Sequence, residues 1–277
     1  MGKTNFEKMN NHMYKNIELP ELENRIILLG ASNLTLSLRL VTHLMQQRLG
    51  GPSEILTAVG HGRAYGVFTQ MLLRGLPAIA NCGLWTQLAA TEPRSTYALL
   101  TDIGNDILFE LAPERILRSV EWCIAQLQQQ SAHVVVTNLP MAAIESLSER
   151  RYTFFRNIFY PFSRLSRNET MSCARAVHVG LVDMASRLHF KLYEPEPIWF
   201  GWDGIHVNYW QRKAFYRDVL QQFPNPSDGP ESVEGEQEFL LTWQRRPEFA
   251  YKTVLGRAIY CQQPSGQLAD GSSVCKC

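Results

Sequence analysis

Short apolar segments alternate with segments of helical periodicity along most of this chain, and this alternation strongly restricts its fold. The apolar segments, interpreted as buried strands, are Arg25–Gly30, Glu54–Val59, Tyr97–Ile103, His133–Asn138 and Val177–Asp183. Helical patterns follow several of these strands. One comes after the first strand, one opens at Pro113, and the last covers Tyr209–Gln222, after the fifth strand. Apolar strands separated by helices predict an α/β fold, in which helices cover both faces of a mostly parallel, five-stranded sheet.

The chain has 277 residues, enough for one large domain or two small ones. We expect a polar N-terminal segment over residues 1–24, an α/β domain over residues 25–223, and an acidic linker with a C-terminal extension over residues 224–277. The linker prediction rests on Pro224–Glu238, which holds five acidic residues and no basic one. The extension could be a cap, a dimer contact or a tail, and we expect its last dozen residues to be disordered.

Charge and hydropathy exclude several classes of partner. The net charge is +1, from 27 basic and 26 acidic residues, so the surplus of Lys and Arg that nucleic-acid binding needs is missing. No apolar run approaches the roughly 18 residues that span a bilayer, and residues 1–24 lack the apolar core of a signal peptide. We therefore expect no nucleic-acid partner, no membrane partner and a cytoplasmic location. The oligomeric state cannot be read from the sequence.

The six cysteines do not form a recognisable metal or disulfide pattern. Cys82, Cys123 and Cys173 lie in apolar segments and are expected to be small buried thiols. Cys275 and Cys277 form a lone C-x-C, which is weak evidence for zinc because a closed zinc site takes four ligands. We therefore predict no metal and no cofactor, in a reducing compartment.

Residues that can carry chemistry follow three of the predicted strands and precede the last predicted helix: Ser32, Gly60 with Gly62, Asn105 with Asp106, and Asp203 with His206. The carboxyl ends of parallel strands meet at one edge of the sheet, where α/β folds bind ligands. We therefore expect these residues to lie close together.

The residue types suit acyl transfer. A serine hydroxyl is a weak nucleophile that needs a base, and His206 is the candidate, oriented by Asp203 three residues before it. The oxyanion of a tetrahedral intermediate needs donors, for which the candidates are the N–H groups of Ser32 and Gly62 and the side-chain amide of Asn105. We favour Gly62 over Gly60, since Gly60 could end the strand.

The order of these motifs resembles that of the SGNH (GDSL-type) serine hydrolase superfamily. The matching residues are Ser32 in GASN, Gly62 in VGHGRAYG, Asn105 in IGND and His206 in DGIHVN, over roughly residues 26–220. The resemblance implies a three-layer α/β/α, flavodoxin-like fold and a serine esterase that needs no cofactor. The substrate would be a small-molecule ester, for instance an acetyl or short-chain acyl ester, attacked by Ser32 with formation of an acyl-enzyme.

Two departures from the family pattern support an alternative, a non-catalytic module that binds a small ligand or a protein. Ala31 stands where the family has Asp in its first motif, and Ile103 stands where the third motif has its first Gly. We expect a changed hydrogen bond beside Ser32 and a changed backbone at the Asn105 turn. Each site residue also has a structural interpretation, since Ser and Asp cap helices and Asn forms turns.

Aromatic residues near these motifs leave further questions open. An aromatic-rich stretch between the fourth and fifth predicted strands could be a lid or an acyl-binding wall, or ordinary packing; it holds Tyr152, Phe154, Phe155, Phe159, Tyr160 and Phe162. Trp199 and Trp202 could shape the pocket or anchor the loop around Asp203. His61 could touch substrate, although a loop-bonding role is the commoner one.

Overall fold

The computed structural model describes residues 21–224 and 241–277. Its strands are β1 (Asn24–Leu29), β2 (Ser53–Ala58), β3 (Thr69–Met71), β4 (Arg74–Leu76), β5 (Thr96–Leu100), β6 (His133–Thr137), β7 (Lys191–Tyr193), β8 (Trp243–Arg245), β9 (Tyr251–Val254), β10 (Arg257–Tyr260), β11 (Gly266–Leu268) and β12 (Ser273–Lys276). Its α-helices are α1 (Ser32–Leu49), α2 (Leu84–Ala89), α3 (Asn105–Leu108), α4 (Pro113–Gln129), α5 (Met141–Glu145), α6 (Glu149–Phe159), α7 (Arg167–Leu188) and α8 (Arg212–Leu220).

A mostly parallel sheet forms the middle layer, with the strand order β7-β6-β5-β1-β2-β12-β11-β8. Strand β1 lies at its centre and pairs in parallel with β2 and with β5, so Leu29 is opposite both Ala58 and Leu100. The carboxyl ends of these three strands are therefore level with one another. The residues that follow them emerge at one edge, which is where the sequence placed its candidate site.

Helices cover both faces of this sheet, because side chains alternate between the faces along each strand. On β1, Ile26 and Leu28 belong to the hydrophobic cluster that includes buried residues of α1 and α8. Ile27 and Leu29 belong to the opposite cluster, which includes buried residues of α4 and α7. The predicted three-layer α/β/α arrangement is confirmed. No helix in residues 21–224 or 241–277 is long and apolar enough to cross a membrane.

The prediction of a strand over Val177–Asp183 is wrong, because this segment lies inside the helix α7. A capping box between Ser166 and Glu169 begins the helix. Val177, Leu181 and Met184 then face the core at helical spacing, whereas Val179 is 64% exposed. The apolar run thus fits a helical face, and the parallel strand beside β6 is β7 instead.

The C-terminal extension also differs from the expected disordered tail. Strand β12 pairs in parallel with β2, placing Val274 opposite Ile55, and β11 and β8 continue the sheet. Val274, Cys275 and Cys277 are buried there. The main sheet therefore has eight described strands rather than five, because the outer edge of β2 gains partners. Most of the proposed N-terminal segment and of the acidic linker lies outside the described residues.

A second, antiparallel sheet with the order β10-β9-β4-β3 connects the extension to the loop region after β2. Strand β9 pairs with β4, with Arg74 opposite Val254 and Gly75 opposite Thr253. The side chain of Arg63 joins the same parts of the chain, since its guanidinium donates to the carbonyl oxygens of Pro77 and Cys277. The extension is thus packed against the segment that carries Gly60 and Gly62.

Candidate active site

Ser32, His206 and Asp203 form one chain of hydrogen bonds. Ser32 is the first residue of α1, just past the end of β1, and its Oγ lies 2.9 Å from Nε2 of His206. Nδ1 of His206 lies 2.6 Å from Oδ2 of Asp203. A carboxylate only accepts hydrogen bonds, so Nδ1 carries the proton and the neutral ring offers Nε2 as an acceptor to the serine hydroxyl.

The loop around Asp203 fixes this geometry locally. The other carboxylate oxygen of Asp203, Oδ1, accepts the backbone N–H groups of Ile205 at 3.1 Å and His206 at 2.9 Å. Gly204, between Asp203 and Ile205, has φ +73°, a conformation that glycine adopts without strain. The D-x-x-H spacing therefore lets the carboxylate hold both the backbone and the imidazole of His206.

Burial and hydrogen bonding act in opposite directions on the pKa values of this pair. Burial disfavours the charged imidazolium, but the hydrogen bond and charge of Asp203, with a contribution from Asp102, outweigh it and raise the pKa of His206. Burial likewise opposes the charged form of Asp203, but its bonds to His206 and to the loop N–H groups lower the pKa of Asp203. The carboxylate thus stays ionised and makes the imidazole a stronger base.

Asp102 and Asn33 hold the serine turn against the histidine loop. Asp102 Oδ2 accepts the backbone N–H of Ala31 at 2.7 Å, and Oδ1 accepts the side-chain amide of Asn33 at 2.8 Å. The Asn33 amide also donates to the Ile205 carbonyl at 2.9 Å, and its oxygen accepts the Val207 N–H at 2.9 Å. These contacts were not predicted, although Asp102 follows β5 directly and Asn33 adjoins Ser32.

The two departures from the family pattern are visible at these turns. The N–H of Ala31 is bonded to the carboxylate of Asp102, so a carboxylate from another strand supports the serine turn. Asp102 itself has φ +61°, a left-handed conformation that Asp tolerates better than most residues. The backbone before Asn105 therefore turns at Asp102, and Gly104 follows in a right-handed helical conformation.

Asn105 is oriented by Tyr160, which is buried. The Tyr160 hydroxyl donates to Asn105 Oδ1 at 2.9 Å, and the amide nitrogen of Asn105 donates to the Arg63 carbonyl at 3.3 Å. Burial raises the pKa of Tyr160, so its hydroxyl remains a donor. An amide nitrogen carries two hydrogens, and the second is available to a ligand in the cavity that Asn105 lines.

Asp106 has a supporting position and is fully buried. Its carboxylate accepts the backbone N–H groups of Tyr65 and Gly66, each at 2.8 Å. Burial raises the pKa of Asp106 to about 6, against the lowering effect of these two bonds. Through these hydrogen bonds, Asp106 links the segment after β2 to α3.

Gly62 does not line the cavity, whereas Ser32, Asn105, Asp203 and His206 do. Neither Gly60 nor Gly62 is among the residues that line the cavity beside Ser32. Gly62 has φ +66°, and a Cβ atom there would lie 2.4 Å from Cγ of Met71. Glycine is therefore required at this position by the backbone and by the close approach of β3.

A mostly apolar cavity of about 120 Å³ opens beside the serine and histidine. Its polar lining residues include Ser32, Asn105 and His206, and parts of its wall come from α3, α5, α6 and α7. The aromatic stretch forms part of the wall through Tyr152, Phe155, Arg156, Phe159 and Tyr160. The Phe159 and His206 rings lie 5.4 Å apart, edge to face. The stretch therefore lies at the candidate site.

Other residues singled out from the sequence lie around this cavity and do not line it. Trp202 is exposed, and its ring packs edge to face with that of Phe155 at 5.5 Å. Trp199 packs on Phe215, 6.2 Å between ring centres. His61 is not among the lining residues. Both tryptophans thus contact residues of the cavity wall.

The cysteines are free thiols, and four of the six are buried: Cys82, Cys123, Cys275 and Cys277. The C-x-C pair lies in or next to β12, and Cys277 Sγ is 3.3 Å from Oε1 of Gln87. Within the described ranges, no group of three or more His, Cys, Asp or Glu side chains is placed to hold a metal ion.

Known structures resemble this fold at low sequence identity. A carbohydrate acetylesterase from Sinorhizobium meliloti, Est24, superposes with a TM-score of 0.52 and 15% identity, covering 72% of this chain and 98% of that chain. An inhibitor-bound aryl esterase from M. smegmatis gives 0.48 and 17% identity over 72% and 97%. The psychrotrophic esterase EstA from Pseudoalteromonas sp. gives 0.46 and 12% over 72% and 94%.

No family model and no curated protein matches the sequence. The likeness to Est24 shows a shared fold, and the fold expected from the SGNH resemblance is confirmed.

Proposed function

On this α/β/α fold, we propose that the protein is a serine esterase with Ser32 as its nucleophile, His206 as general base and acid, and Asp203 as the residue that orients His206. One observation carries the proposal: the hydrogen-bond chain from Ser32 through His206 to Asp203, whose residues line a mostly apolar cavity. Est24, which shares the fold, is a carbohydrate acetylesterase, and an esterase activity agrees with the proposal.

The proposed reaction proceeds through an acyl-enzyme. Ser32 Oγ attacks the ester carbonyl carbon while its proton passes to Nε2 of His206, and the carbonyl oxygen becomes an oxyanion. The C–O bond to the alcohol then breaks, and the alcohol leaves with the proton from His206. Water, activated by the same nitrogen, releases the acid and restores Ser32.

Three donors are proposed for the oxyanion. The Ser32 N–H is in the first turn of α1, where amides have no partner within the helix and the helix dipole favours negative charge. The side-chain amide of Asn105 has one N–H directed elsewhere and a second one free. The third proposed donor is the N–H of Gly62, for which the supporting observation is the SGNH-like motif order in the sequence.

The proposed substrate is a small-molecule ester, and an acetyl or short-chain acyl group is the smallest that would occupy the cavity beside Ser32. No nucleic-acid or membrane partner is proposed. The proposed setting is the cytoplasm, for which the supporting observation is that all six cysteines are free thiols.

Hydrolysis of p-nitrophenyl esters by the wild type and by Ser32→Ala tests the proposal. We expect turnover by the wild type and a loss of about 10⁴-fold or more in kcat for the variant. Ser37→Ala is the matched control, since Ser37 lies on the same helix and does not line the cavity. Equal hydrolysis by Ser32→Ala, or none by a folded wild type, would favour the alternative, a non-catalytic ligand-binding module.

A further inference from the structure

Beside the polar atoms of the site, the cavity is lined mostly by apolar side chains. Six of the lining side chains, together called the apolar lining, are buried and uncharged: Ile107, Leu139, Ile144, Leu147, Met171 and Ala174. They come from α3, from α5 and the segments flanking it, and from α7, whereas Ser32 begins α1. A substituent attached to a carbonyl at Ser32 would therefore meet apolar surface as it enters.

Several polar groups that line the cavity are already paired within the protein, including Arg156, whose guanidinium donates to the Leu165 carbonyl at 2.9 Å. The Tyr152 hydroxyl lies 2.6 Å from Oγ1 of Thr170 and donates to the Leu165 carbonyl at 2.9 Å. The Asn138 amide donates to Glu194 at 2.6 Å, and its oxygen accepts the N–H of Leu139. Because the Tyr152 hydroxyl and the Asn138 amide are satisfied, a hydroxylated substituent would gain no partner from them and would lose its own hydration.

The size of the cavity sets the length of the chain. A water-sized group accounts for about 10–15 Å³ in such a volume, so a cavity of about 120 Å³ holds on the order of eight to twelve such groups. An acetyl group would leave most of that space without contacts. A carbonyl followed by a hydrocarbon chain would fill it.

We infer that the substrate class of this site is esters of unbranched, medium-chain fatty acids, on the order of six to eight carbons long, with the chain against the apolar lining of the cavity. This inference rests on the proposed function, because it assumes that Ser32 receives the acyl group. Burial of each methylene is worth about a fourfold gain in kcat/KM, which favours such chains over acetate.

Two residues that line the cavity offer a direct way to change the acyl-chain length that the site prefers. Met171 and Ala174 are three residues apart on α7 and both face the cavity. Ala174→Leu reduces the volume of the cavity, whereas Met171→Ala enlarges it. Ala176→Leu is the matched control, since Ala176 is exposed on the same helix.

The experiment measures kcat/KM for p-nitrophenyl esters from acetate to dodecanoate, together with thermal melting of each variant. For the wild type we expect a maximum at hexanoate or octanoate, at least tenfold above acetate. Ala174→Leu should lower the octanoate-to-acetate ratio at least tenfold, Met171→Ala should move the maximum to longer chains, and Ala176→Leu should leave the series unchanged. If Ala174→Leu fails to fold, the dependence of kcat/KM on chain length in Met171→Ala decides whether the inference holds.

Two results would overturn the inference and are distinguishable. The medium-chain assignment would be wrong, although the proposed esterase activity would stand, if the wild type had its highest kcat/KM with acetate. The same would follow if Ala174→Leu and Met171→Ala left the dependence on chain length unchanged. A folded wild type that hydrolyses no ester of the series, and whose Ser32 is not labelled by a fluorophosphonate, would remove the proposed function and the chain assignment with it.

Discussion

The side-chain amide of Asn33 donates to Asp102 at 2.8 Å and, from the same nitrogen, to the carbonyl of Ile205 at 2.9 Å. One residue thus ties the serine turn to the carboxyl end of β5 and to the histidine loop, three segments that are distant in sequence. Ser32 and His206 are 174 positions apart in the chain, so their 2.9 Å contact depends on such ties.

Asn33→Ala tests this role. Without the side chain, Ala31 and Asp102 keep their bond, but the backbone N–H of Val207 loses its acceptor and the loop is free to shift. A displacement of about 1 Å at reacting groups can cost about 100-fold, so we expect kcat to fall between about 10- and 100-fold with KM changed less than about threefold. Steady-state kinetics on a soluble ester measures both. An unchanged kcat in a folded variant would show that Asn33 does not position His206.

The pH dependence of kcat/KM follows from the pKa shifts at the pair. His206 must be neutral to accept the serine proton, and its pKa is raised above 6.5, so the acidic limb of the profile should lie above pH 6.5. Asp203→Asn removes the carboxylate that contributes most to raising the pKa of His206, so the limb should move to lower pH while kcat falls about 10⁴-fold. A limb that stays in place in Asp203→Asn would mean that another group titrates.

Asn105→Ala should weaken stabilisation of the oxyanion. Loss of one such donor lowers kcat by about 10²- to 10³-fold, and we expect that effect with little change in KM. Tyr160→Phe is the companion variant: it removes only the donor to Asn105 Oδ1, so the fall should be smaller, about three- to tenfold. If Tyr160→Phe were as damaging as Asn105→Ala, the hydroxyl would have a role beyond orienting the amide.

Lys276 should make stability depend on pH at the alkaline end. Burial, and then the charge of Arg74, lower its pKa from 10.5 to about 8, and its ammonium lies 4.1 Å from the centre of the Phe249 ring. Between pH 8 and 10.5 the unfolded chain therefore binds more protons than the folded one, so stability rises with pH across that range. Below pH 8 the full cost of burying the charge is present.

Lys276→Met should remove that rise and stabilise the protein at pH 7 by about 2 to 3 kcal/mol. Urea unfolding at pH 7 and pH 10 measures both effects. Lys191→Met is the control, because Lys191 is exposed at the start of β7. A destabilised Lys276→Met at pH 7 would show that the contact with Phe249 outweighs the cost of burial.

Much of the fold follows from local pattern. The strands β1, β2, β5 and β6 each contain a short apolar run and end at a turn, and these ends place Ser32 and Asn105 at one edge of the sheet. Val177–Asp183 was misassigned because a short apolar run fits a strand or the buried side of a helix, and the capping box at Ser166 decides for the helix. Strand β12 has too few residues to be recognised without its partner β2.

The site could be predicted only in part. Short motifs located Ser32, Asn105, Asp203 and His206, which the structure brings together. The contacts of Asn33 and Asp102 depend on how separate turns approach each other, and no local pattern carries that information. The same holds for Gly62, which follows the expected strand but does not line the cavity.

Covalent labelling by a fluorophosphonate, followed by peptide mass spectrometry, tests the central claim most directly, because the reagent reacts with an activated serine whatever the substrate. The wild type, His206→Ala and the control Ser37→Ala would be compared. We predict modification at Ser32 in the wild type and in Ser37→Ala, and its loss in His206→Ala. A folded wild type without modification at Ser32, or equal modification in His206→Ala, would contradict the account.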